Sequence, residues 1–136
     1  MVDVPAELLI GPAIAMGIIL SLIEIYFVAQ DEAGMRWLSH ALHAVPFMFI
    51  FTFLSMNVGW ALSLVNMEGS LTIDLIARVV LGVIAMVKIK AAASITGKGG
   101  VGESNMHVLI IGVLIIASPY IWIYALEDLI GQYLPF

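Results

Sequence analysis

Glu24, His40, His43, Lys88 and His107 are the residues whose types could do chemistry, and each sits among apolar neighbours. An imidazole beside a carboxylate can relay a proton, and an imidazole alone can ligate a metal or a haem iron. His40 and His43 stand three apart, as HxxH, which puts them on one side of a helix. With His107 they are the candidate metal ligands, although a bis-histidine haem needs its two histidines on facing helices. Lys88 is a counter-charge for Glu24. A second group, Asp74, Arg78, Glu127 and Asp128, offers a guanidinium and carboxylates. Asp74 and Arg78 are four apart, the spacing of an ion pair within one helix. The sequence has no HExxH and no nucleophile set beside a base, and it has no cysteine. Catalysis by this chain alone is therefore not expected.

These few charges stand in a chain of 136 residues that is 62% hydrophobic and 11% charged, with a mean hydropathy of +1.12. Soluble domains carry roughly 25% charged residues. A fold this small cannot bury so much apolar side chain in water, so lipid is the expected solvent for most of its surface. The net charge of −5 opposes nucleic acid as a partner and opposes anchoring by a polybasic patch. The opening MVDVPAELLI has no basic residue before its apolar run, and Asp3 and Glu7 stand where a secretory signal is positive. The first hydrophobic segment is expected to be a permanent span.

A bilayer core takes about 20 apolar residues of helix. Four segments meet that length, at about residues 6–29, 37–65, 73–93 and 105–130. Pro5, with Asp3 or Glu7, suits the start of the first. Pro46 predicts a kink or tilt in the overlong second, and Pro119 a bend in the fourth. Ser70 or Thr72 is the expected cap of the third, and Ser104 or Asn105 that of the fourth. Gly97 and Gly131 mark their ends. The connections QDEAGMR, NMEGSL and SITGKGGVGES are short, so sequential helices should be antiparallel neighbours. The expected fold is an all-α integral membrane protein: one transmembrane domain over 1–136, a four-transmembrane-helix antiparallel bundle, up-down-up-down.

Lys and Arg set the expected orientation. Arg36 and Lys98 lie in the first and third connections, with Lys88 and Lys90 beside them, whereas the termini and second connection hold none. Both termini are thus expected outside the cytoplasm. Small residues mark helix contacts. Ala13, Gly17 and Ser21 repeat every four residues towards Glu24, and Gly82 and Ala85 form a similar face on the third helix. The natural expectation joins these two faces, with the second and fourth helices as competitors for the contact.

The run GKGGVGES, ending at Ser104, resembles the phosphate loop of ParA- and MinD-like ATPases. The resemblance covers this loop alone. Glu103 stands where the family has the phosphate-binding lysine, and the run follows a membrane helix where a strand is required, so nucleotide is not expected.

Depth along the helices places Glu24, His40, His43, Lys88 and His107 in one inner polar cluster drawn from all four helices. It places Asp74, Arg78, Glu127 and Asp128 in an outer charge lock. Between them the bundle offers only Ser21, Thr52, Ser55 and Ser118. Charges in a membrane usually find partners that pin helix register. The expected function is a non-catalytic structural or accessory subunit of a larger membrane assembly or homo-oligomer, with the lipid bilayer and other subunits or copies of itself as partners. The alternative is a proton or ion channel or transporter using Glu24, His40, His43 and Lys88. A second alternative is an electron-transfer anchor binding haem or metal through His40, His43 and His107. A quinone or lipid-headgroup site lined by the inner cluster is a further reading.

Overall fold

The structure, a computed structural model, describes residues 7–31, 36–67, 70–96 and 104–134. The expectations placed on Asp3, Pro5, Gly97, Lys98, the GKGGVGE run and the Arg36 side chain lie outside the described residues. The described chain is helical, with no strand. Its elements are α1 (Ile10–Asp31), α2 (Arg36–Met56), α3 (Val58–Ser63), α4 (Leu71–Thr96), α5 (Asn105–Ile121) and α6 (Glu127–Ile130). A π turn at Trp122–Leu126 joins the last two, and a 3-10 turn, Gly131–Tyr133, follows.

Three described stretches are long and apolar enough to cross a membrane, Ile10–Asp31, Trp37–Met56 and Asn105–Tyr133. That is the signature of a membrane protein. α4 is the longest helix, but Asp74, Arg78, Lys88 and Lys90 interrupt its apolar character.

Local chemistry explains the helix ends. Ser70 caps α4, its Oγ accepting from the Ile73 N–H at 3.4 Å. Ser104 caps α5, its Oγ accepting from the His107 N–H at 3.1 Å. The expected second span is two helices: α2 runs through Pro46 unbroken and stops at Asn57. α3 ends with Asn66 in the left-handed region at φ 55°, and the Met67 N–H reaches back to the Leu62 carbonyl at 3.0 Å. This is a Schellman closure with asparagine in the place usually taken by glycine.

Packing pairs α1 with α2, and α4 with α5, while α2 touches α4 and α5 as well. Gly17, Gly82 and Gly112 each mark a close approach. A Cβ on Gly17 would stand 2.7 Å from Phe49 Cδ1, so α1 lies against α2 there. Gly82 faces Ile116 and the Gly112 carbonyl, and Gly112 faces Met86, so α4 and α5 interlock in both directions. The expected seam between Gly17 on α1 and Gly82 on α4 is therefore not the one built. Small residues announce a close contact but not its partner.

Met16, Leu20, Met48, Ala85, Ile111 and Ile115 are 1% exposed or less and fill the middle of the bundle. Leu22, Leu42, Ile50, Val79, Val83, Val87, Leu109 and Val113 are exposed around its outside. Charged Glu24 and Arg78 are fully buried. Polar groups inside and large aliphatic groups outside suit a body whose solvent is lipid.

Candidate functional site

Two buried polar clusters flank the apolar middle. One lies at the Asp31 end of the bundle, where α1 finishes and α5 begins. The other lies at the Asn57 end.

At the Asp31 end, His107 bridges two carboxylates. Its Nε2 lies 2.8 Å from Glu24 Oε2 and its Nδ1 2.9 Å from Asp31 Oδ2. Glu24 and Asp31 are seven apart on α1, two helical turns, so both reach the same neighbour. Asp31 Oδ2 also accepts from the Ser104 N–H at 3.1 Å. The capping serine of α5 is thus tied to α1 as well as to its own helix. The Phe27 ring stacks on the imidazole at 5.0 Å, closing it from above. The Glu24 and His107 side chains are fully buried, while Asp31 is 21% exposed. Two ring-nitrogen bonds to carboxylates need two protons. Either the imidazole carries both, as a cation between two anions, or one acid is protonated beside a neutral ring.

Glu24 has a second face. Its Oε1 is buried and without a hydrogen-bond partner. The Glu24 side chain also lines a largely apolar cavity of about 10 Å³, together with His40, Ala44, Phe47, Lys88 and Ile89. The structure thus brings Glu24, His107, His40 and Lys88 to one region. It leaves His43 aside: that side chain is exposed, and its Nδ1 bonds the Ser39 carbonyl of its own helix at 2.8 Å. Three positions along α2 separate a buried imidazole from an exposed one. Lys90, at the same end, donates to Asn105 Oδ1 at 2.6 Å, linking α4 to α5.

At the Asn57 end, Arg78 donates to Asp74 from Nε at 2.6 Å and Nη2 at 2.8 Å, a bidentate pair within α4. Its Nη1 donates to the Ser55 carbonyl of α2, and its guanidinium lies over the Tyr120 ring, 5.9 Å from the centroid. Pro119 explains why this level is polar. It has no N–H to give the Ile115 carbonyl. That carbonyl accepts instead from Ser55 Oγ at 2.6 Å and Ser118 Oγ at 2.8 Å. Ser55 therefore ties α4 to α2 through its carbonyl and α2 to α5 through its hydroxyl. Glu127 and Asp128, grouped with Arg78 by depth, are exposed, and Asp74 alone supplies the carboxylate. Asn57 completes the level: its Oδ1 accepts from the Leu9 N–H at 2.6 Å, and its Nδ2 donates to the Leu9 and Phe53 carbonyls at 3.3 and 2.9 Å.

Sequence reasoning missed three of these parts. Asp31 reads as part of a polar connection, yet it is a turn-matched repeat of Glu24 facing the same histidine. Tyr120 reads as an interfacial aromatic, and Ser55 as an isolated hydroxyl. Proline four residues after Ile115 was the available signal for Ser55, because it frees a carbonyl that needs a donor.

The clusters can hold protons and helices more readily than metal. Among the described residues no group of three or more His, Cys, Asp or Glu side chains is placed to hold a metal ion. Both His107 nitrogens face carboxylates, and His43 faces away from the bundle, so the histidines do not fit as axial ligands of one haem. Comparison with protein-family models, curated proteins and solved structures gives no match.

Proposed function

We propose that this protein is a small four-span membrane protein acting as a non-catalytic structural or accessory subunit of a larger membrane assembly or homo-oligomer. The observation that carries this reading is the sealed middle of the bundle. Met16, Leu20, Met48, Ile111 and Ile115 fill it, and Gly82 and Gly112 are each closed over by a neighbouring side chain. The buried charges on either side join helices: Arg78 joins α4 to α2, and Glu24 joins α1 to α5.

α4 is the fourth span in this reading. It lies antiparallel along α5, with Gly82 by Gly112 near the middle and Lys90 by Asn105 at the end. Its 26 residues reach about 39 Å at 1.5 Å each, more than a bilayer core of about 30 Å. Asp74 neutralises Arg78, and Lys88 is exposed near the far end, where its head can reach the headgroups. The Asp31 end is the cytoplasmic one, with both termini outside.

Mass measurement after purification in mild detergent tests the proposal. The expected result is a stoichiometric complex with other subunits or a homo-oligomer. A monodisperse, lone monomer overturns it.

One observation favours transport as a second reading. The line Glu24–His107–Asp31 runs from a fully buried carboxylate to a partly exposed one. Proton flux into liposomes that is abolished by Glu24→Gln supports it, and flux equal to that of empty liposomes removes it.

A further inference from the structure

We propose that Asp31 and His107 form a pH-sensitive latch between the end of α1 and the start of α5, closed while the line Glu24–His107–Asp31 holds two protons and open when it holds one. This goes beyond the subunit reading and needs no proton to cross the bundle. The geometry sets the count. His107 Nε2 lies 2.8 Å from Glu24 Oε2, and Nδ1 lies 2.9 Å from Asp31 Oδ2. Each contact needs a proton between its two atoms, because a bare ring nitrogen and a carboxylate oxygen both offer lone pairs. Two protons satisfy both contacts, whichever atoms carry them. With one proton left, one contact must fail, and burial decides which. The Glu24 and His107 side chains have no exposed surface, and a buried carboxylate facing a bare nitrogen is a charge left without its donor. Asp31 is 21% exposed, so water can take over its carboxylate. The remaining proton therefore stays between Glu24 and Nε2, and Nδ1 lets go of Asp31.

Release has a structural consequence. The same Asp31 oxygen accepts from the Ser104 N–H at 3.1 Å, and Ser104 caps α5. Asp31 is also the last residue of α1, where the helix dipole opposes a negative charge. The imidazole and the positive end of α5 hold it there. Once Nδ1 is bare, its lone pair repels the carboxylate, and Asp31 turns to water and releases Ser104 as well. Glu24 and the Phe27 stack still hold the ring, so the opening is confined to the last turn of α1 and the cap of α5. The other titratable groups of this end, among the described residues, are His40 and His43 on α2 and Lys88 and Lys90 on α4. His40 and Lys88 line a cavity with Glu24, Lys90 donates to Asn105 Oδ1, and His43 bonds its own helix.

Two measurements on the full chain in liposomes, taken from acidic to alkaline buffer, test the latch. Nitrogen-15 magnetic resonance of labelled histidine reads which ring nitrogens carry protons, with the His107 signals identified by their loss in His107→Phe. A nitroxide on Gln30→Cys, exposed beside Asp31, reads the mobility of the end of α1, and one on Leu22→Cys, also exposed, is the control. The expected result is one step, as pH rises, in which His107 Nδ1 becomes bare and the Gln30 label becomes mobile, while the Leu22 label is unchanged. Asp31→Ala should leave the Gln30 label mobile at every pH. Asp31→Asn should leave it held at every pH, because an amide can accept from an N–H or donate to a bare nitrogen. The proposal is overturned by a Gln30 label indifferent to pH, by an alkaline ring that keeps its proton on Nδ1, or by a pH response that survives Asp31→Asn. Should a variant not fold, the native ring signals and the Gln30 label decide alone.

Discussion

Arg78 makes the strongest demand of any side chain here, because a guanidinium with no exposed surface must satisfy its donors inside the bundle. Asp74, the Ser55 carbonyl and the Tyr120 ring answer that demand. Arg78→Met alone leaves Asp74 unpaired and should lower stability by about 3–5 kcal/mol. The double variant Arg78→Met, Asp74→Leu should recover most of that loss, because a hydrophobic pair of similar volume replaces a buried ion pair at little net cost. Thermal unfolding in detergent measures both, and equal losses in the single and double variants would contradict the lock. The histidines give a sharper contrast. His43→Ala removes an exposed ring and should change stability by less than about 0.5 kcal/mol. His107→Phe keeps the stack on Phe27 but strips Glu24 Oε2 of its partner, and should cost about 3 kcal/mol or more. The residue types alone made the three histidines equivalent, and only helix phase and neighbours distinguish them.

At the scale of elements, the seams are set by where backbone can approach. Gly82 lies under Ile116 and 3.1 Å, by an added Cβ, from the Gly112 carbonyl, which cannot swing aside. Gly112 lies under Met86, a flexible side chain that can. Gly82→Ala should therefore destabilise by about 1–3 kcal/mol through overpacking, and Gly112→Ala by less. A reversed order in thermal unfolding would mean that the α4–α5 seam is built differently. Much of each element was legible beforehand. Apolar runs of membrane length, the Ser70 and Ser104 caps and the Asp74–Arg78 pair follow from local spacing and local hydrogen bonding. The break at Asn57 was not legible, because it depends on a side chain that binds the Leu9 backbone 48 positions away. Pro46 carried the obvious breaking signal, yet α2 continues through it. The α1–α4 seam failed for the same reason: a small face can be read from sequence, whereas the helix that fills it cannot.

For the whole molecule, the number of crossings decides which end of the chain faces which compartment. The chain has no cysteine, so single cysteines can be placed and labelled cleanly. With four spans, Asn66→Cys and Gln132→Cys should react with an impermeant thiol reagent from the same side of intact cells, and Gln30→Cys only after permeabilisation. With α4 outside the membrane, Asn66 and Gln132 would report opposite sides. All three positions are exposed, so labelling reads topology rather than burial.

The sequence by itself determined the solvent and the class of fold. Hydropathy and helix period are local properties, and continuous apolar runs of about 20 residues satisfy their backbone in lipid as helices rather than as the alternating strands of a closed barrel. It also determined that charge would gather in two layers, because depth follows from counting residues along a helix. Only the tertiary structure decided which charges meet. His107 takes Glu24 and Asp31, while His43, equally plausible by depth, turns outward. Arg78 takes Ser55 and Tyr120 rather than Glu127 or Asp128. These choices depend on the rotation of each helix about its axis, which is settled by the fit of Gly17 to Phe49 and Gly82 to Ile116. Such fits hold between residues far apart in the chain, and no window along it contains both halves.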